Sequence, residues 1–548
     1  MSEGSFTGPS RRTVLGAGVA TGALLAVSGS IGLGGVVSAA AGTATAPSGY
    51  AHPTLVHSAE AILRAQQQAI TVGAQPWLAG WNRLTANGRS HASWSPRPLA
   101  TVVRGGGGDN YAQMYIDIHA AYQNALRWRV GGSADNGAAA ARILNAWSST
   151  LTSLTGNADR YLAAGIYGYQ WANAAELMRG HPDFDLDRMN DMLLHVFYPM
   201  NDAFLRHHNG AVITNYWANW DLCNMASMLA IGGLTDRADL VQQALDYFAT
   251  GAGSGSIQHA VPFVYDDEGL GQWQESGRDQ GHTLLGIGLM GAFCEMAWNL
   301  GYDAYGYDDN RFLKGAQYVA KYNLGNSVPF TPYSKQSGPV TTKPWVGWST
   351  QTVISSDSRG QVRPVWESIL GHYSGRQGLE ATWVQQMAEL VRPEGGGGDY
   401  GSNSGGYDQL GFGTLMNYRP AAVLTPSASP TVGAPSPTPV ELGTVAGANV
   451  VSPAPGAAAT GSGAAPTLTA GAAPGASPGT SPAAAPSAVA RRSTLAPSAP
   501  GSSTPAAWSG TVASATSTVV PAATAVGAAA LGAAVITFVA TRLRRRSD

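Results

Sequence analysis

The sequence predicts an all-α domain of stacked helical hairpins over residues 51–419, and three observations carry that reading. From Tyr111 to Trp128 the residues Tyr111, Met114, Tyr115, Ile118, Tyr122, Ala125 and Leu126 keep to the three-and-four spacing of an amphipathic helix. Similar stretches recur near 58–70, 137–153, 162–179, 186–206, 217–231, 238–250, 281–300, 310–322, 363–373 and 380–391, and their connections carry Gly, Pro, Asn and Asp, as in Gly180-His181-Pro182 and Gly232-Gly233. Alternating strand-like patterns are confined to short pieces around 259–265 and 340–354. Helical hairpins in this number build either an (α/α) toroid or an open solenoid, and the lack of a strict sequence period argues against a regular repeat array.

The flanks have a different composition. Residues 1–45 hold Ser10-Arg11-Arg12-Thr13-Val14-Leu15, a weakly apolar Gly/Ala-rich run to Val37 and the small residues Ala39-Ala40-Ala41, the pattern of a twin-arginine export signal. Cargo of that route folds in a reducing compartment, so Cys223 and Cys294 are expected as buried thiols. Residues 420–518 are rich in Ala, Pro, Ser, Thr and Gly; between 420 and 490 the one charge is Glu441, and a chain that cannot bury a core reads as a disordered stalk. Val519 to Ala540 is uncharged and mostly apolar, as a transmembrane helix requires, and residues 541–548 with Arg542, Arg544, Arg545 and Arg546 read as a cytoplasmic tail. The expected protein is exported and tethered to the outer face of the cell membrane by its C-terminal helix.

Lys+Arg 32 against Asp+Glu 34 leaves a net charge of −2, with no footprint for nucleic acid. Any polyanion must therefore meet positive charge gathered locally in a cleft. Two segments concentrate polar and aromatic side chains beyond what packing needs. In Asn215-Tyr216-Trp217-Ala218-Asn219-Trp220-Asp221-Leu222-Cys223-Asn224-Met225, helical spacing puts Asn215 and Asn219 on one face. In Gly271-Gln272-Trp273-Gln274-Glu275-Ser276-Gly277-Arg278-Asp279-Gln280-Gly281-His282, the residues Glu275, Arg278 and His282 follow spacings of three and four, so a turn of helix brings them together. No HExxH, CxxC, EF-hand or P-loop motif occurs in the block, the acidic turn Asp266-Asp267-Glu268 is a weak candidate for Ca²⁺, and no metal or other cofactor is expected.

These two segments, with the Gly-rich stretch from Arg392 to Leu415, resemble the alginate lyase domain of the toroidal polysaccharide lyases over roughly 51–419. The resemblance implies an incomplete (α/α) toroid whose cleft binds an acidic polysaccharide and cuts it by β-elimination. Abstracting the C5 proton beside a carboxylate builds up negative charge, which needs donors aimed at it, a base, and an acid for the leaving oxygen. What the resemblance implies for residues is that Asn215 or Asn219 fills the Asn role and Arg278 the Arg role. The better known alginate lyases carry Asn-Asn-His where this chain has Asn215-Tyr216-Trp217, and a Tyr seven residues after the Arg where it has Leu285. The imidazole is therefore sought in His282 and the phenol in Tyr216, with His259 and Tyr265 in reserve. Substrate contacts are expected from His208, Trp220, Trp273, Gln274, Glu275 and Gln280, with Trp220, Trp273 and Tyr407 as stacking faces. Two rival functions stay open: a glycoside hydrolase pairing Glu275 with Asp221, Asp266 or Glu268, and a glycan-binding protein without catalysis.

Overall fold

The computed structural model describes residues 49–340 and 347–420; the expected signal, the stalk beyond residue 420, the transmembrane helix and the basic tail lie outside them. Fifteen helices and six short strands follow one another in these residues. The helices are α1 (Ala59–Ala65, continued by a π-turn to Val72), α2 (Trp77–Ala86), α3 (Tyr111–Gly131), α4 (Ala134–Ser148), α5 (Arg160–Met178), α6 (Leu186–Met192), α7 (Tyr198–His207), α8 (Ala218–Leu234), α9 (Ala238–Thr250), α10 (Ile257–Ala260), α11 (Gln280–Leu300), α12 (Tyr307–Asn323), α13 (Trp366–Tyr373), α14 (Thr382–Val391) and α15 (Gly413–Met416). Parallel β1 (Thr101–Val103) and β2 (Ser153–Thr155), and the antiparallel pairs β3 (Phe263–Tyr265) with β4 (Leu270–Gln272) and β5 (Tyr333–Gln336) with β6 (Trp348–Gln351), make three two-stranded sheets. The helix expected over 137–153 stops at Ser148 because its next residues turn and then pair as β2. Helix α2 escaped the periodicity, its apolar stripe being short and tryptophan-rich.

Two kinds of helix sort into two rows. Helices α5 and α8 are buried on nearly all sides, whereas α9 and α14 bury one stripe and expose the other. The buried helices α3, α5, α8, α11 and α13 pack in that order, and α15 and α1 lead from α13 back to α3. Their contacts ascend together along the chain. A methyl placed on Gly165 would meet Cys223 and one on Gly168 would meet Ser227; Gly233 faces Leu300; Gly288 faces Val365 and Gly291 faces Ile369. Arg129, near the end of α3, donates to the carbonyls of Leu177 and Arg179 at the end of α5. These inner helices are therefore parallel, with all their N-terminal ends on one side. The outer helices α4, α9 and α12 return between them.

The Gly-rich stretch 395–411 fills the space the inner helices enclose. His119 and Gln170 donate to the Tyr407 carbonyl, and Tyr169 donates to that of Asp408. A cavity of ≈ 60 Å³ remains there, lined by His57, Tyr122, Glu295 and Glu394 among others, with room for a few waters but not for a sugar ring. Cys223 and Cys294 are both free and buried, as expected.

Candidate active site

Each inner helix starts beside a cation. Arg104 precedes α3, Arg160 opens α5, Arg278 precedes α11 and Arg363 precedes α13, while Lys335 reaches the start of α8 from β5. The partial positive charge of a helix N-terminus adds to each. A chain of net charge −2 thereby gathers positive charge at one mouth.

The segment 271–282 makes the densest part of this mouth. Glu275 is fully buried; its Oε2 accepts the Asn219 backbone N–H at 3.1 Å and its Oε1 accepts from Arg278 Nη1 at 2.8 Å. Burial raises the Glu275 pKa, and the Arg278 charge opposes that rise. Asp279 caps α11, accepting the His282 backbone N–H and, at 2.7 Å, His282 Nδ1. Burial works against the Asp279 charge, yet the His282 hydrogen bond holds its carboxyl below the usual range. His282 Nε2 lies 3.0 Å from Arg278 Nη2. A guanidinium only donates, so Nε2 is the acceptor and the ring is neutral with its proton on Nδ1. The Arg278 and His282 side chains keep 25% and 28% exposure; Glu275 is fully buried behind Arg278, and Asp279, at 22%, lies beside both.

Trp217, the residue before α8, joins this group to two others. Its ring lies under Lys335 Nζ at 4.0 Å and under the Arg278 guanidinium at 5.3 Å. Lys335 donates to the Asn215 carbonyl at 2.6 Å; burial pushes its pKa down to about 8, Glu275 raising it and Arg278 lowering it further. On the other side, the Tyr216 hydroxyl accepts from Asn209, whose amide oxygen accepts from Arg160. Burial raises the Tyr216 pKa, so its phenol keeps its proton.

The expected site residues thus separate into groups. Arg278, His282 and Asn219 come together, and the buried Asn219 Oδ1 has no partner. Asn215 holds the hairpin that delivers Lys335, its Oδ1 accepting the Gly338 N–H. Tyr216 and Trp220 pack on each other and on Phe204, both half-exposed, beside the Arg278 group. The expected substrate contacts fare differently. Trp273 is fully buried against Gly286 and Gly315, and Tyr407 is 2% exposed, so neither offers a stacking face. His208 is buried on Asp221, which also accepts from Tyr247. Gln274 spans the Ala218 N–H and the Tyr333 hydroxyl, Gln280 binds the Ser276 and Ser355 carbonyls, and Glu275 is tied as above. These four residues brace the site and do not line it. Of the reserves, His259 binds Ser256 and Gly253, and the Tyr265 hydroxyl binds Gln272 and Thr331. Among the described residues no group of three or more His, Cys, Asp or Glu is placed to hold a metal ion, Asp266-Asp267-Glu268 included. Sequence reasoning missed Asp279, Trp217 and Lys335.

The model of the alginate lyase family matches residues 108–330, which span this site. Among solved structures, the chain is similar to alginate lyase A1-III from Sphingomonas species A1 at 15% identity, covering 68% of this chain and 97% of that one with a TM-score of 0.44. It is also similar to an alginate lyase from Bacteroides ovatus (13% identity, 67% and 97% covered, TM-score 0.38) and to an A1-III variant complexed with a tetrasaccharide (13%, 66% and 94%, 0.40). No curated protein matches. At these TM-scores the solved structures assign nothing. Over residues 108–330 the chain is similar to the alginate lyase family.

Proposed function

We propose that this protein is a polysaccharide lyase that cleaves a uronic-acid polymer, alginate or one like glucuronan, by β-elimination at the mouth of an incomplete (α/α) toroid. The observation that carries the proposal is the partly exposed Arg278–His282 pair, Arg278 bound to the buried Glu275 and His282 to Asp279. Arg278, with Lys335 beside it, takes the uronate carboxylate and neutralises the charge that builds up. Drawing the guanidinium to substrate frees His282 Nε2, which accepts the C5 proton; Asp279 stabilises the imidazolium that results. The C5–H electrons form the C4–C5 double bond as the C4–O bond breaks, and the Tyr216 phenol gives its proton to the leaving oxygen.

The paired-carboxylate alternative has little to support it. Glu275 and Asp221 are fully buried and hydrogen-bonded, while Asp266 and Glu268 lie on an exposed turn against Lys314 and Lys321. No two of them flank an open space as a hydrolase requires. The export signal, stalk and membrane anchor expected from the sequence complete the proposal, with the enzyme working at the outer face of the cell.

The test is ultraviolet absorbance of the full chain incubated separately with alginate, glucuronan, hyaluronan and chondroitin. Elimination leaves an absorbing unsaturated uronate, and Arg278→Ala and His282→Ala are each expected to lower the rate by about a hundredfold or more. New reducing ends without absorbance would replace the lyase with a hydrolase, and binding without either product would leave a glycan-binding protein.

A further inference from the structure

Arg104, Arg363 and Asp408 share the mouth, and the elimination chemistry leaves them unused. Asp408 is 4% exposed; its Oδ2 accepts a 3.3 Å bond from Arg363 Nη1, but its buried Oδ1 has no partner. Burial raises its pKa, against the charges of Arg363 and Arg104. Arg104 and Asp408 are both fixed to α5, the one by the Tyr167 hydroxyl and the other through its carbonyl by the Tyr169 hydroxyl, yet the two do not close an ion pair. Arg104 Nη1 donates instead to the Tyr167 hydroxyl at 3.1 Å, and the guanidinium lies over the rings of Tyr111 and Tyr167 at 4.9 and 5.5 Å. Arg363 is spent on the Gly405 carbonyl, Asp408 and Gln409 Oε1.

A buried carboxylate oxygen without a donor is costly, and a nearby guanidinium would ordinarily move to meet it. Here aromatic rings hold the guanidinium on one side while Arg363 and the Gly-rich stretch hold the carboxylate on the other. What completes such an open pair must accept from a guanidinium and donate to a carboxylate. A uronate ring has both groups, a carboxylate and neighbouring hydroxyls, and the half-buried Tyr111 supplies an apolar face for it.

We propose that Arg104 and Asp408 form a second saccharide subsite, in which Arg104 takes the carboxylate of a uronate ring and Asp408 Oδ1 accepts a hydroxyl of the same ring. Asp408 is bonded to Arg363 before α13, and α13 packs on α11, whose start carries Arg278 and His282, so this subsite lies on the same side of the domain as the group that removes the proton. The inference rests on the lyase reading and adds to it which residues select an acidic neighbour.

The test is calorimetric titration of the full chain, carrying His282→Ala to prevent turnover, with alginate and glucuronan tetrasaccharides and their carboxyl-reduced counterparts. Arg104→Met is expected to weaken binding of the acidic tetrasaccharide by about tenfold and to have no effect on the reduced one. Asp408→Asn is expected to weaken both by about tenfold, because the hydroxyl contact is common to them. Arg104→Lys, which keeps the charge, is expected to recover part of the loss, and unchanged melting midpoints separate lost binding from lost folding. Affinities for the acidic tetrasaccharides that stay within about twofold in both Arg104→Met and Asp408→Asn would overturn the subsite and leave the lyase standing. A parent chain that neither binds nor cuts any uronate would sink both.

Discussion

Lys335 shows what a single residue contributes and why it was hidden. Its partner, the Asn215 carbonyl, is 120 positions away, and no local spacing reports such a contact. Arg278, His282, Glu275 and Asn219 were legible because three of them repeat at helical spacing within one segment and the fourth stands beside a tryptophan in the other. Trp273 was misjudged because an indole in a polar segment looks the same whether it faces a sugar or a helix. If Lys335 helps to bind the substrate carboxylate, pH must show it. With its pKa lowered to about 8, the charge is present below that value and lost above it, where an ordinary lysine would still be charged. KM is expected to climb as pH passes from about 7 to 9, and Lys335→Arg, charged throughout, is expected to flatten that climb. Stability has its own titration. His57 and His119 are buried and neutral, and burial pushes both down to about 4. The unfolded chain takes up protons below the ordinary value near 6.5 while the folded chain does not, so stability is lost as pH falls from about 6.5 through 4. Melting midpoints should drop across that window, and His119→Gln, which keeps a donor for the Tyr407 carbonyl, should drop less.

At the scale of elements, the helices were legible and their partners were not. Ranges such as 238–250 and 281–300 match α9 and α11 because the apolar residues that set the period are those that become buried. The pairing of α5 with α8 depends on Gly165 and Gly168, which read in the sequence as weak points inside a helix. A methyl on Gly165 would stand 2.3 Å from Cys223 Sγ and 2.7 Å from the Cys223 carbonyl carbon. The two helices then cannot stay at their present separation. Gly165→Ala is expected to destabilise the domain by about 1–3 kcal/mol in urea unfolding, with Gly168→Ala acting in the same direction through Ser227. Of the strands, β3 and β6 fall within the expected stretches 259–265 and 340–354, whereas β1, β2, β4 and β5 lie outside them, and the role of the pairs was not foreseen. The β5–β6 pair carries Tyr333 and Lys335 to the start of α8, a task that depends on cross-strand register.

For the whole molecule, the parallel inner helices convert an almost neutral composition into a directional field. Five N-terminal ends and the cations beside them face one way, with Glu275 and Asp279 paired to Arg278 and Asp408 to Arg363. Salt should therefore act on capture more than on chemistry. Raising ionic strength from about 0.05 to 0.5 M is expected to lower kcat/KM on the polymer several-fold with kcat nearly unchanged, as read from initial rates. A fall in kcat of the same size would place the salt-sensitive step after binding. None of this was visible in the net charge, which sums over the chain and carries no direction.

The same parallel arrangement decides where the domain is joined to anything else. His52 and Thr54 are bound by Glu176 and Thr54 also by the Asn299 carbonyl, at the C-terminal ends of α5 and α11. Arg419 reaches Glu60, and Gly371 and Gly375 at the end of α13 face Asn417 and Arg419. Both ends of the folded domain therefore emerge on the side away from the cationic mouth. A support or cargo attached through either terminus leaves the mouth unobstructed, so an immobilised form should process long chains as readily as the free protein does.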